Sequence, residues 1–301
     1  MKGKIIQLIR FDWAMKRLLR NKANFGILEG FLSELLRTDI KIIEILDSES
    51  NKETENDKFN RVDILVKNSD GELIIIEIQN DREYDYFQRM LYGVSKAIVE
   101  HIDEGSAYSK VKKVIAVNVV YFNLGQGEDY VYYGITSFKG LHKKDILGLS
   151  KRQKEIFGVE SVQDIFPEYY IIKVNNFDDN AQDTLDEWIY FFKHSAIKSN
   201  FSAKGIKEAS EKLDIMKLPK KEQSEYKSYL RNLREEASKA ETIRIDTQAL
   251  LDETEQNAQQ NTKKEMIIEF WKLNVSIANI ATATKYSEDK VNQIIEDYQN
   301  Q

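Results

Sequence analysis

Apolar positions recur at two different periods along the chain, and the period changes mark its elements. Phe11, Met15, Leu18 and Leu19 stand at helical spacing and predict a helix over residues 11–20, with Asp12 near its start. A second helix over 24–36 turns Phe25, Leu28, Phe31, Leu32, Leu35 and Leu36 to one side. Residues 40–46 read as a strand and 48–56 as a polar, charged loop. Two β-branched runs, 61–67 and 72–79, then flank Asn68-Ser69-Asp70-Gly71, a hairpin turn signal. Residues 85–102 read as a helix with Met90, Leu91, Val94, Ile98 and Ile102 as its core stripe. Strands are predicted at 113–122, 129–138 and 168–174, so helices alternate with strands in a mixed α/β core.

From about residue 178 the pattern is helical. Trp188, Ile189, Phe191 and Phe192 pack one helix, 206–213 another, and Pro219 marks a break before 222–236. Residues 237–262 are rich in Ala, Gln and charge with little apolar face, which predicts a solvated helix or a linker. The last segment, 263–301, reads as three short helices with Ser276 and Ser287 as N-caps, either a helix-turn-helix-like unit or a helical dimerisation module. The expected division is therefore 1–236, 237–262 and 263–301.

The hairpin carries the candidate chemistry. A turn centred on Asp70 makes Asp63 face Glu77, with Gln79 on the same side. Directly opposed residues have Cβ atoms roughly 4.5–5.5 Å apart, where two carboxylates repel. At the end of an Ile-, Leu- and Val-rich hairpin such a pair is costly unless a cation or proton neutralises it, and a divalent metal is the economical explanation. Two other readings stay open at this point: a one-residue slip separates the acids onto opposite faces, and acids at strand ends are often simply solvated.

Composition narrows the metal. The 301 residues include no Cys and three His (His101, His142 and His194) far apart, which excludes thiolate sites and argues against a His-built zinc site. Oxygen ligands suit Mg²⁺, with Mn²⁺ or Ca²⁺ as other occupants. No apolar run spans a bilayer and the N-terminus lacks a signal-peptide pattern, so a cytoplasmic protein without membrane contact is expected. The net charge of −6 does not advertise nucleic-acid binding, but basic residues are clustered. Residues 1–22 hold seven Lys and Arg against Asp12 alone, and a second patch runs from Lys139 to Lys154. Solvated basic faces are common; beside an oxygen-ligand metal site these suit a phosphate backbone.

Four blocks in order carry a family resemblance: Phe11-Asp12-Trp13-Ala14-Met15-Lys16, Asp63 followed by Glu77-Ile78-Gln79, the run Phe87-Gln88-Arg89-Met90-Leu91-Tyr92-Gly93-Val94-Ser95-Lys96, and Asp186-Glu187-Trp188-Ile189-Tyr190-Phe191-Phe192-Lys193. The chain resembles the PD-(D/E)XK nuclease family transposases, also called recombination-promoting nucleases, over nearly its whole length. The resemblance implies a restriction-endonuclease-like fold, a mixed central sheet flanked by helices, followed by an all-helical C-terminal region. It implies metal-dependent hydrolysis of DNA phosphodiesters with low sequence specificity, in recombination, mobile-element biology or phage defence. Asp63, Glu77 and the Ile78 carbonyl would hold Mg²⁺, Gln79 would take the place of the lysine usual in the wider superfamily, and Asp12 would reach the site from the first helix. Lys16, Gln88 and Arg89 would contact nucleic acid, and Tyr92 would pack in the core. Asp12 also reads as a helix-start acid, Lys16 as its ion-pair partner, and Gln88 and Arg89 as a solvated face. The other class of function is a catalytically weak or inactive nuclease-fold protein that binds nucleic acid or assembles with partners, with the C-terminal helices as a candidate homodimer interface; RNA cleavage is a third possibility that the site chemistry leaves open.

Overall fold

The expected hairpin forms the turning point of the central sheet. The computed structural model describes residues 5–46, 63–102 and 107–300. In order these form β1 (Ile5–Gln7), α1 (Phe11–Arg17), α2 (Phe25–Leu36), β2 (Ile42–Leu46), β3 (Ile64–Asn68), β4 (Leu73–Gln79), α3 (Tyr86–Glu100), β5 (Val114–Val120) and β6 (Val131–Gly134). There follow α4 (Lys151–Phe157), β7 (Glu168–Lys173), α5 (Thr184–His194), β8 (Ala196–Lys198), α6 (Ile206–Lys212), α7 (Lys220–Lys272), α8 (Ile277–Thr284) and α9 (Glu288–Gln299). The loop expected at 48–56 lies outside the described residues.

A six-stranded mixed sheet runs in the order β2-β3-β4-β5-β7-β6. β2, β3 and β4 are antiparallel neighbours, β4, β5 and β7 are parallel, and β6 closes the edge antiparallel to β7. The turn between β3 and β4 is built from its own side chains. Asn68 Oδ1 accepts from the N–H groups of Asp70 and Glu72 at 3.1 and 2.9 Å, its Nδ2 donates to Glu72 at 2.8 Å, and Gly71 takes the left-handed φ of 79°. β5 is buried at every position, as a central parallel strand covered on both faces must be.

Helices flank the sheet. Val94 and Ala97 of α3 pack on Leu65, Leu73, Ile75, Val114 and Ala116. Successive strand residues alternate faces, and Ile64, Val66, Ile74, Ile76, Val117 and Val119, which point the other way, are equally buried. Phe11 of α1, Phe31 of α2 and Trp188, Phe191 and Phe192 of α5 form one aromatic cluster with ring centroids 4.4–6.4 Å apart. Two expectations are corrected. Leu91 and Tyr92 are 60% and 53% exposed, because the buried face of α3 runs through Tyr86, Met90, Val94 and Ala97. The strand expected at 129–138 is only Val131–Gly134.

The chain divides into two compact units, Met1–Tyr226 and Lys227–Gln301. The first holds both sheets, including the small pair in which β8 interrupts the helical pattern by pairing with the distant β1. Pro219 immediately precedes α7, and residues 237–262 are helical and exposed throughout. In the second unit Ile267, Ile280, Ala281, Val291, Ile294 and Ile295 make a small core. Lys285, with φ 57°, ends α8, and the Ser287 hydroxyl accepts from Lys290 N to cap α9.

Trp188 is fully buried and touches four aromatic rings, so Trp188→Ala should cost about 3–5 kcal/mol of stability in urea unfolding. Leu91→Ala, on the exposed side of α3, should change stability by less than about 0.5 kcal/mol. A large loss at Leu91 would return it to the core.

Candidate active site

The open end of the β3–β4 hairpin brings the expected acids together. β3 pairs with β4 through Ile64↔Ile76, Leu65↔Ile75, Val66↔Ile74 and Lys67↔Leu73, and one further step of that register sets Asp63 opposite Glu77. The Ile78 N–H donates to Asp63 Oδ2 at 2.8 Å. Strand alternation turns the Ile78 carbonyl to this same side, whereas the Gln79 carbonyl faces β5 and accepts from Tyr121 N at 2.9 Å. Arg20 Nη2 ties the Asp63 backbone carbonyl at 2.8 Å.

Glu77 has a 12% exposed side chain and lies beside Asn118 of β5 in the ladder. Burial pushes its carboxyl up to about 7; Arg89 opposes that shift, while Asp63 and Glu83 add to it by like charge. Arg89 of α3 stands between two acids, with Nε 3.6 Å from Glu77 Oε2 and Nη1 2.8 Å from Glu83 Oε1. Gln79 Nε2 donates to that same Glu83 oxygen at 2.8 Å and to the Asp81 carbonyl at 3.3 Å. Behind Glu77, the Tyr86 hydroxyl donates to Asn118 Oδ1 at 3.3 Å; burial first, then Glu77, holds its pKa far above the ordinary value, so it stays protonated.

Asp12 occupies a neighbouring cluster. It is 2% exposed and accepts from Trp13 N at 2.8 Å, from the Arg10 guanidinium and from Asn80 Nδ2 at 3.1 Å. Asn80 directly follows Gln79, so the cluster abuts the end of β4. Among the described residues no three acidic or His side chains form a group that could hold a metal ion. The Lys16 side chain lies outside the described set. Gln88 is exposed.

Arg10 pairs with Asp12, Arg17 with Glu225 at 3.8 Å, and Arg20 with the Asp63 carbonyl. The 139–154 patch lies in the connection from the end of β6 to the start of β7, and Glu168 at that start pairs with Ile115 near the beginning of β5. That is the end of the sheet opposite the acids. Glu83, Asn80 and Arg10 were not picked out by sequence pattern; the one local signal was the charged run Asp81-Arg82-Glu83 immediately after Gln79.

The family described as PD-(D/E)XK nuclease family transposase matches residues 9–243, a span that includes every residue of this site. No curated protein matches the chain.

With its carboxyl raised from 4.5 to about 7, folded Glu77 holds a proton that the unfolded chain has released across that window. Stability therefore falls as pH rises through it, by up to roughly 3 kcal/mol in all. Urea unfolding at a series of pH values should show this slope in the wild type and lose it in Glu77→Gln; equal slopes would place the Glu77 pKa at its ordinary value.

Proposed function

The chain thus belongs to the PD-(D/E)XK nuclease family transposases, and on that footing we propose that it is a divalent-metal-dependent DNA endonuclease that hydrolyses phosphodiesters with low sequence specificity. The observation that carries the reading is the Asp63–Glu77 pair at the end of a buried hairpin, with burial raising Glu77 toward neutrality. Nucleases of this family generally use divalent metal ions. The Asp63 and Glu77 carboxylates and the Ile78 carbonyl are an all-oxygen donor set on one side of β4, which fits Mg²⁺. Mg²⁺ there would polarise the scissile phosphate and lower the pKa of a nearby water.

The chain's own groups do the remaining work. Asp63 is oriented by the Ile78 N–H, and Glu77 is kept poorly solvated, so both favour a cation over bulk water. Gln79, where a lysine would add positive charge to the developing phosphorane, contributes hydrogen bonding only. Such a set acts on phosphate, which every sequence shares, and this supports low specificity. Recombination, mobile-element biology or phage defence is the setting that the family name suggests, in a cytoplasmic protein. Among the described residues no helix is long and apolar enough to cross a membrane.

For the tail we propose an assembly role. α8 and α9 have helix-turn-helix-like spacing, but α9 carries Glu288, Asp289, Glu296 and Asp297 against Lys290, a poor match for a phosphate-lined groove. We take residues 1–236 as the nuclease domain, 237–262 as a solvated helix and 263–301 as the homodimerisation module. Deletion after Asp246 should change the oligomeric state, read as the number of chains per particle by sedimentation, or the nicking rate; if both stay constant the tail does neither.

The decisive assay is nicking of supercoiled plasmid. Wild type should nick in Mg²⁺ and stop on addition of EDTA, and Asp63→Ala should lose at least about 100-fold in rate. Full activity in Asp63→Ala would sink the assignment. Tight, salt-sensitive DNA binding without cleavage in Mg²⁺ or Mn²⁺ would favour the binding-protein reading, for which the Arg89 guanidinium beside Glu77 and the missing lysine speak.

A further inference from the structure

We propose that Glu83 is a positioning residue that locks the Gln79 side-chain amide, so that Gln79 meets the reacting water through its carbonyl oxygen Oε1 and not through its NH2 group. The inference rests on the nuclease reading above and assigns a role to a loop acid that lies outside the Glu-x-Gln motif.

The amide's orientation follows from its partners. Gln79 Nε2 has Glu83 Oε1 at 2.8 Å and the Asp81 carbonyl at 3.3 Å, and both of these only accept. Exchanging the amide's N and O would set Oε1 against two oxygens, so the assignment is chemically unambiguous. Glu83 is itself held, because Arg89 Nη1 donates to the same Oε1 at 2.8 Å while Arg89 Nε reaches toward Glu77 at 3.6 Å. Gln79, Glu83, Arg89 and Glu77 thus form one connected arc, and Gln79 projects on the same face of β4 as Glu77. With Nε2 committed twice, Oε1 is what the Gln79 side chain offers to the reaction centre, and among the described residues no donor is bonded to it.

That choice of atom matters for an in-line attack. A water that donates a proton to Oε1 gains electron density on its oxygen and keeps both lone pairs free, whereas a water accepting from an NH2 group has one of its two lone pairs engaged and is the poorer nucleophile. The water oxygen bonds to phosphorus as the bond to the leaving sugar oxygen breaks. The water's proton passes to solvent and the leaving oxygen takes one from solvent, because an amide oxygen is too weak a base to hold it. Glu83 selects the face of the amide that permits this geometry. Without Glu83 the amide can turn over, and Arg89 loses one of its two acids and is left to Glu77 alone.

The test uses the full chain. Glu83→Ala should lower kcat for plasmid nicking about tenfold with KM for DNA changed less than about twofold, since a positioning group acts on the attack and not on the backbone grip. Glu83→Gln keeps a side-chain oxygen that can accept from Gln79 Nε2 and should hold kcat to within about threefold of the wild type. A readout free of activity is the side-chain NH2 of Gln79 in ¹⁵N spectra. Its protons should exchange slowly with solvent in the wild type and fast in Glu83→Ala, with thermal midpoints confirming that each variant is folded. Unchanged kcat in Glu83→Ala, a Glu83→Gln as slow as Glu83→Ala, or fast exchange in the wild type would each overturn the role of Glu83 while leaving an active nuclease standing. A wild type inactive with every divalent metal would instead overturn the nuclease reading, and this role with it.

Discussion

Two carboxylates made to face each other across the open end of a buried hairpin set the terms for the surrounding structure. Neither Asp63 nor Glu77 can relax away, because the register that opposes them is enforced several residues off, where Asn68 and Gly71 build a turn of fixed length. A one-residue slip would turn Leu65 and Ile75 out of the layer under α3 and put their neighbours in their place. Hydrophobic burial along the hairpin therefore maintains an electrostatic conflict at its end. The raised carboxyl of Glu77 reflects its burial first and the like charges of Asp63 and Glu83 after it.

The groups nearest the pair each answer part of it. Ile78 N–H stabilises Asp63 as an anion, so the two acids are made unequal, one hydrogen-bonded and the other desolvated. Arg89 supplies a cation, but at 3.6 Å from Glu77 and shared with Glu83 it compensates incompletely. Under the proposed function, a small hard cation held by these acids would relieve the remaining like-charge repulsion. The Asp12 cluster shows the contrasting case: a more deeply buried acid, saturated by Arg10, Asn80 and its own helix start.

How much of this could be read from the residues depends on the range of the interaction. The hairpin register was legible because strand periodicity and turn chemistry are local, and both pointed to Asp70 as the centre. The α/β character followed from alternating periods, and the mixed sheet from the family resemblance. α3 was legible as a helix, but its face was misjudged at Leu91 and Tyr92, since an apolar residue on a helix does not announce which neighbours cover it. Glu83 and Asn80 escaped notice because their roles arise where a loop folds back on the strand that precedes it. The N-terminal basic run reads as a candidate phosphate-binding surface; of its described members Arg10 pairs with buried Asp12, Arg17 with Glu225, and Arg20 hydrogen-bonds to the Asp63 carbonyl. The 139–154 patch was legible as basic, but only topology places it at the far end of the sheet.

Gln79 gathers these threads. Judged by residue type, it is a lysine lost and a positive charge missing from the phosphate. Judged by its partners, it is an amide whose donor group is already engaged by Glu83 and Asp81, which leaves its carbonyl oxygen as the group to offer. A lysine at this position would face Glu83 with Arg89 already bound to it, and its charge would be drawn into that ion pair and away from phosphate. The loop acid and the glutamine are therefore mutually consistent: in this loop, a neutral side chain of fixed orientation is better matched to its surroundings than the cation it replaces.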